Sequence, residues 1–296
     1  MNKESRSNIN TFLPYGFVLL QGILYGFGDP ISKAAYETMP VYSLLTVRYT
    51  IAFLFLLIIG RKGFFKEVRR TNITVWILPS ICIGLAYVVG NIALVLTEAT
   101  SVAFLRQLAT VFTPILAFMF YRKAYGWRHV PVQIAVIAGL YLMCGLGGLS
   151  GFGLGEIAAL VAAVTAAGAL VFGEKALESM SVVTLTTLQC GVSALMALIL
   201  AIADEGGVHM GAATPKIWLI IVYLAILCTV AGYFLQNAAM RSISSSSVAL
   251  LQCFCPVMTA IFSFVILGEK LNFVGIIGAF IILACCAIET VFQRNS

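Results

Sequence analysis

Residues 74–97 read TVWILPSICIGLAYVVGNIALVLT and contain no charged side chain. As a helix this stretch would be roughly 36 Å long, at 1.5 Å per residue. A bilayer's hydrocarbon core of ~30 Å takes about 20 helical residues. Working outward, ten such stretches fill the chain: 13–35, 40–60, 74–97, 101–121, 130–147, 155–174, 182–203, 216–239, 246–267 and 271–291. Unbroken apolar runs exclude a β-barrel, whose strands alternate over short segments. In lipid each segment must satisfy its own backbone hydrogen bonds, so the reading is an all-α integral membrane protein with ten transmembrane helices.

Composition agrees. Of 296 residues 61% are hydrophobic and 10% charged, against roughly 25% charged in soluble domains. The polar N-terminus lacks a small-residue cleavage site after a short apolar core, so the first segment is not read as a removable signal peptide. The net charge of +6 is spread through loops without interleaved aromatics, which gives no nucleic-acid signal. All eight cysteines lie in apolar segments and read as small packing residues. His129 and His209 fall in connectors, so neither a metal site nor a cofactor is expected.

The basic residues report topology. With a cytoplasmic N-terminus, one side collects thirteen of the eighteen, from Lys3 and Arg6 to Arg241 and Arg294. The other side holds Lys33, Lys216 and Lys270, with Glu37, Glu98, Asp204, Glu205 and Glu269. Both termini are therefore expected in the cytoplasm, in a multi-pass plasma-membrane protein. The halves also echo one another. Ser101-Val-Ala-Phe-Leu105 and Ser247-Val-Ala-Leu-Leu251 agree at four of five positions at an offset of 146 (247 minus 101). The same offset sets Tyr125-Gly-Trp127 on Leu271-Asn-Phe273. Five helices per half, an odd number, invert the second copy, predicting two inverted five-helix repeats over 13–147 and 155–291.

Three ionisable residues lie inside spans, where each costs about 2.5–3.5 kcal/mol on insertion scales. Counting at the helical rise puts Asp29 ~9 Å, Arg106 ~8 Å and Arg48 ~12 Å from the outer end of their spans. Matched depth and opposite charge suggest one cavity. Asp29 precedes Pro30, which is expected to disturb helix 1, as in the discontinuous helices of transporter sites. Asp29 reads either as a substrate or proton group, or as an ion-pair partner of Arg106 or Arg48 that fixes packing. Arg106 is charged where its repeat counterpart Gln252 is neutral, which favours a substrate role. Tyr25, Asn91, Gln107 and Gln252 complete the candidate substrate set. Pro114 and Pro256 are expected to kink spans 4 and 9. Gly22-x-x-x-Gly26 is a close-packing spacing. The glycine-rich stretch 147–155 reads as a hinge between halves.

Several motifs carry a family resemblance. They are Pro30-Ile-Ser-Lys33-Ala-Ala, Leu44-Leu-Thr-Val-Arg48-Tyr, the run from Asn91 to Ala103, Gly155-Glu156-Ile-Ala-Ala-Leu and Leu267-Gly268-Glu269-Lys270-Leu271. In this order and spacing the chain resembles the drug/metabolite transporter superfamily, in its ten-helix group of two EamA-type halves. Tyr121-Arg122-Lys123-Ala124 departs from the Gly-Glu pair that the first half of such proteins carries. The resemblance implies a structural or gating role for Arg48 and Lys33. It also implies substrates among amino acids, purines, sugars, drugs or choline-like cations, and export as the commoner direction.

The resulting expectation is a secondary transporter of a small polar metabolite, not an enzyme. Its substrate is expected to be an amino acid or similar zwitterion, with carboxylate on Arg106 and ammonium on Asp29. The second reading is an importer or exchanger of an organic cation, caged by Tyr25, Tyr87 or Phe104. With no Walker motif, energy is expected from proton or exchange coupling. Substrate is expected to loosen an Asp29–Arg106 pair during alternating access. The sequence sets no oligomeric state.

Overall fold

The computed structural model describes residues 3–97, 99–123, 126–127, 129–142, 153–211, 213–267 and 273–294. The described residues contain helices and turns and no strand. In the first half the helices are α1 (Lys3–Tyr36), α2 (Val41–Arg70), α3 (Ile73–Leu96), α4 (Ala99–Gln107), α5 (Ala109–Tyr121) and α6 (His129–Leu140). In the second half they are α7 (Leu154–Ala176), α8 (Val182–Asp204), α9 (Pro215–Tyr223), α10 (Gly232–Met240), α11 (Ser245–Gln252), α12 (Phe254–Leu267) and α13 (Phe273–Arg294). A π-helical segment, Leu224–Ala231, joins α9 to α10.

Eight stretches of the described helices are long and apolar enough to cross a membrane. The α4–α5, α9–α10 and α11–α12 runs each form one of them. The apolar α6 is shorter, and α1, diluted by Gln21, Asp29 and its polar start, is not among the eight. The stretch 143–152, which includes most of the expected hinge, and the Gly268-Glu269-Lys270 motif lie outside the described residues.

Local chemistry sets the helix ends. Asn72, Ser181, Thr214 and Ser244 accept a backbone N–H of the first turn of α3, α8, α9 and α11. Pro215 follows at the first position of α9, where its missing N–H costs nothing. Two longer-range caps are reciprocal. Glu205, at the end of α8, accepts from the backbone N–H of Tyr42 (2.7 Å) and Ser43 (2.8 Å) at the start of α2. Glu67, in the last turns of α2, accepts from the N–H of Ser181 (2.9 Å) before α8. The two helices therefore lie antiparallel, each lending a carboxylate to the other's positive end. Burial pushes the Glu67 carboxyl up, but the Ser181 N–H and the hydroxyls of Thr184 and Ser181 outweigh it, and its pKa lies below the ordinary glutamate value.

The packing has a pattern. α2 lies on α8, and α6 on α13. α3 packs on α7, and α1 on the α9–α10 run. α1 also packs on α12, and α7 on α4 and α5. The α1–α12 crossing uses the predicted glycine pair. A Cβ on Gly26 would lie 2.5 Å from Met258 Cβ and 2.8 Å from backbone, and one on Gly22 would lie 2.9 Å from Phe254. Only glycine permits that approach.

α1 corrects one expectation. It runs as continuous helix through Pro14 and Pro30. Pro30 deletes a single donor, and close packing of the same turns against α12 and the π segment keeps the helix intact.

Candidate functional site

The helix breaks lie at matched positions. α4 ends at Gln107 and α5 begins at Ala109, with Leu108 between. α11 ends at Gln252 and α12 begins at Phe254, with Cys253 between. At the repeat offset, Leu108 falls on Phe254, one residue from the second break. A proline ring clashes with the carbonyl four residues earlier. For Pro256 that carbonyl belongs to Gln252, where α11 ends. For Pro114 it belongs to Thr110, and the side-chain amide of Gln133 donates to that carbonyl in place of the absent proline N–H. Pro256 thus acts at the break a turn upstream of its own position, whereas the carbonyl opposite Pro114 lies inside α5, two residues past Leu108.

Both breaks open onto a central cavity of ≈ 110 Å³. α1 contributes Gln21, Tyr25, Asp29 and Ser32, a polar stripe at spacings of four, four and three. α2 contributes Arg48, α3 contributes Tyr87 and Asn91, and α4 contributes Arg106 and Gln107. α12 adds Cys255, Pro256 and Thr259 behind Gln252, along one helical face. Ala162 and Ala166 of α7 close the far wall with small side chains.

Thus Asp29, Arg106, Tyr25, Asn91, Gln107, Gln252, Arg48 and Pro256 all line one space. Lys33 and Pro114 do not. Lys33 is exposed in the last turn of α1. Pro114 lines a second cavity of ≈ 360 Å³ with Lys123, His129, Glu174 and Ser244–Ser247. There Lys123 pairs with Glu174, and His129 Nδ1 lies in hydrogen-bond contact with Glu289, each at 2.8 Å. His129 is not a connector residue as expected, but the first residue of α6.

The central charges behave differently. Among the described residues no ion pair within 4 Å joins Asp29 to Arg106 or Arg48, so the expected Asp29–Arg106 latch is not formed. Asp29 accepts only a long 3.5 Å hydrogen bond from the Thr259 hydroxyl. Arg106 lies over the Tyr87 ring, 5.7 Å from its centroid, and no described residue accepts a hydrogen bond from its guanidinium. Gly90 gives it room, since a Cβ there would sit 3.4 Å from Arg106 Nε. Arg48, 5% exposed, donates from Nε to Thr229 Oγ1 at 2.8 Å and stacks on Tyr49 at 5.4 Å. The Thr229 hydroxyl donates in turn to Leu224 O, five residues back in the π segment. Asp29 lies in the field of Arg106 first and Arg48 second.

The neutral groups divide. Gln252 Nε2 donates to Gln21 Oε1 (3.1 Å) and Gln236 Oε1 (2.8 Å), and Gln21 Nε2 donates to Gln236 Oε1 (3.0 Å). This amide triangle ties α1, α10 and α11 together. Asn91 is likewise engaged, accepting from the Tyr36 hydroxyl at 2.8 Å and donating to Tyr87 O at 2.7 Å. The Tyr25 hydroxyl, in contrast, is buried on the cavity wall beside Tyr87 and Gln21 and makes no hydrogen bond of regular geometry among the described residues. Its ring rests where a Cβ on Gly232 would come within 2.5 Å.

Tyr25, Tyr49, Tyr87 and Tyr233 form a cluster with centroid separations of 5.4–6.5 Å. Two of these rings, Tyr49 and Tyr87, already face arginines. Sequence reading missed Thr229 and Thr259. Thr259 was accessible from its spacing of four and seven residues after Cys255 and Gln252. Thr229 needed the π segment, which no residue pattern announces. Among the described residues no cluster of three or more His, Cys, Asp or Glu suits a metal ion.

The comparisons with known proteins bear on what such a cavity serves. The profile of the EamA-like transporter family matches residues 13–145 and again 153–290. Two uncharacterized transporters of Archaeoglobus fulgidus are similar to the chain. One is 24% identical over 91% of this chain and 83% of its own length. The other is 26% identical over 90% of each. The uncharacterized transporter YcxC of Bacillus subtilis is 22% identical over 91% of this chain and 90% of its own. A protein solved by crystallography superimposes over 94% of this chain and 96% of its own with a TM-score of 0.78 at 17% identity, which speaks for the fold alone. With the family profile covering nearly the whole sequence in two segments, the chain belongs to the EamA-like transporter family and is a membrane transporter, not an enzyme.

Proposed function

We propose that the chain is a secondary exporter of a small zwitterionic metabolite, an amino acid or close analogue, working by alternating access. The observation that carries this reading is the separated charge in the central cavity. Asp29 and Arg106 face one space without pairing, one ready for an ammonium and the other for a carboxylate. Buried charges without partners are costly in a membrane, and a zwitterion satisfies both. The Tyr25 hydroxyl lies on the same cavity wall beside them. The volume of ≈ 110 Å³ is well below the ~300–1,000 Å³ of pockets for drug-sized ligands. The alternative organic cation is disfavoured because the protein's own arginines cover Tyr49 and Tyr87.

The same proposal includes ten spans in two inverted five-helix repeats. Exchanging each span with its counterpart five later maps the main packing contacts onto one another: 2 with 7 and 5 with 10 map onto themselves, 3 with 6 becomes 8 with 1, and 1 with 9 becomes 6 with 4. The reciprocal Glu67 and Glu205 caps and the double family match support it. The breaks at Leu108 and Cys253 are the proposed bending points. The one-sided distribution of Lys and Arg supports a plasma-membrane protein with both termini cytoplasmic. Coupling is to protons or to exchange.

Counterflow in proteoliposomes tests the transport reading. Preloaded amino acid should accelerate saturable uptake of its labelled form. Flux that neither saturates nor responds to trans substrate would replace the transporter mechanism with a channel. Thiol labelling of Ser7→Cys and Asn295→Cys tests topology, with the same face expected and opposite faces contradicting it.

A further inference from the structure

The charge count of the cavity does not close with a neutral zwitterion. Three ionisable side chains line it that carry charge near neutral pH: Asp29, Arg48 and Arg106. The remaining ionisable linings are tyrosine and cysteine side chains, Tyr25, Tyr87, Cys228 and Cys255. With Asp29 ionised the cavity carries +1, and with Asp29 protonated it carries +2. A neutral zwitterion leaves that excess where it is.

The excess sits on Arg48. Its Nε is held by Thr229 at 2.8 Å, and Thr229 is fixed by its own bond to Leu224 O at 3.0 Å. Because the hydroxyl proton is committed to that carbonyl, Thr229 can only accept, which sets the guanidinium's orientation. No described residue accepts from the two terminal nitrogens of Arg48. A structural arginine in hydrocarbon surroundings normally ends on a carboxylate or carbonyls. Here its face rests on Tyr49 and its fork is left to the cavity. A guanidinium with two parallel donors free matches a carboxylate in bidentate geometry.

Resting on the zwitterion reading above, we propose that the substrate carries a second acid: a short amino acid with an acidic side chain, net charge −1. Its α-carboxylate meets Arg106, its ammonium meets Asp29, and its side-chain carboxylate meets the fork of Arg48. That set of three contacts neutralises the cavity. A dicarboxylate without the amine would set an unmatched Asp29 against its own charge. A neutral amino acid would leave Arg48 unmatched.

The test is counterflow into proteoliposomes of the intact protein, with L-aspartate, L-glutamate, L-alanine, succinate and choline as probes. Aspartate or glutamate should exchange at least 10-fold faster than alanine, succinate or choline. Arg48→Gln should lower that acidic-to-neutral ratio about 10-fold or more, and Arg48→Lys should retain part of it. If Arg48→Gln fails to fold, the wild-type ranking decides. Alanine equal to or faster than the acidic pair would overturn this inference and leave the zwitterion reading standing. Succinate fastest would overturn both the amine contact and the inference. Choline alone, or no exchange of any amino acid, would overturn the zwitterion reading as well.

Discussion

Two positions separated by the repeat offset, Arg106 and Gln252, lie within a residue of the ends of corresponding half-helices, yet they meet opposite fates. Gln252 is absorbed into a closed triangle with Gln21 and Gln236. Arg106 has a ring face behind it and, among the described residues, no hydrogen-bond partner in front. The backbone architecture is shared, and the chemistry is not. The second half thus supplies a neutral, self-satisfied wall and the first half supplies the charge that needs a ligand. A similar contrast separates α3, one uninterrupted α-helix, from the α9–α10 run, whose π segment positions Thr229 for Arg48. Symmetry builds the space, and departures from symmetry furnish it.

The comparison can be broken most sharply at its charged member. Arg106→Gln should reduce saturable transport roughly 10- to 100-fold, since a hydrogen bond to a charged group is worth about 1.5–3 kcal/mol. Gln252→Ala should cost only about 2- to 10-fold, the scale of neutral hydrogen bonds at about 0.5–1.5 kcal/mol. Equal losses in initial-rate flux would erase the distinction between the halves. Moving the charge across, with Arg106→Gln and Gln252→Arg together, should not restore flux, because the transplanted guanidinium would face the amides of Gln21 and Gln236 rather than Asp29.

Packing gives a second contrast, within α1 itself. Gly26→Ala pushes a Cβ into Met258 and its backbone and should cost about 1–3 kcal/mol, read as lost thermal stability in detergent. Gly16 has nothing within 4 Å of the same atom, and Gly16→Ala should be neutral or stabilise by up to ~1 kcal/mol through helix propensity. A large loss at Gly16 would mean that α1 is packed on both faces.

The smallest effect belongs to the reciprocal caps. The Glu67 carboxyl has a depressed pKa. Its contribution is therefore complete above the ordinary glutamate range near ~4.3 and is lost as pH falls through the lower folded value. Glu67→Gln should remove part of the acid sensitivity of the melting temperature below that range. The group is largely solvated, so the change should stay under ~1 kcal/mol. An unchanged acid profile would show that the Ser181 cap contributes nothing.

Much of the site was legible in residue numbers. Matched depth along three spans brought Asp29, Arg48 and Arg106 together, because a helix converts sequence distance into height at a fixed rise. The Gly22 and Gly26 spacing marked a close-packing face of α1, though not α12 as its partner. Whether those charges pair was not legible, because pairing depends on rotation and sideways distance between helices. The breaks do not coincide with Pro114 and Pro256; proline strains the carbonyl a turn earlier, which accounts for the break at Cys253 and not for the one at Leu108. The helix-breaking role of Pro30 failed because packing outweighed one lost hydrogen bond. The amide triangle joins residues up to 231 positions apart, a register that only the folded bundle defines.

The most direct measurement is transport by the double variant Asp29→Asn with Arg106→Gln, which nearly preserves shape and removes both charges. Removing one charge strands the other in the membrane, so single variants mix folding with function. The double variant should be recovered folded, with wild-type thermal stability or better, and should show no saturable counterflow. Full-rate counterflow by this variant would contradict the assignment of Asp29 and Arg106 as the substrate site.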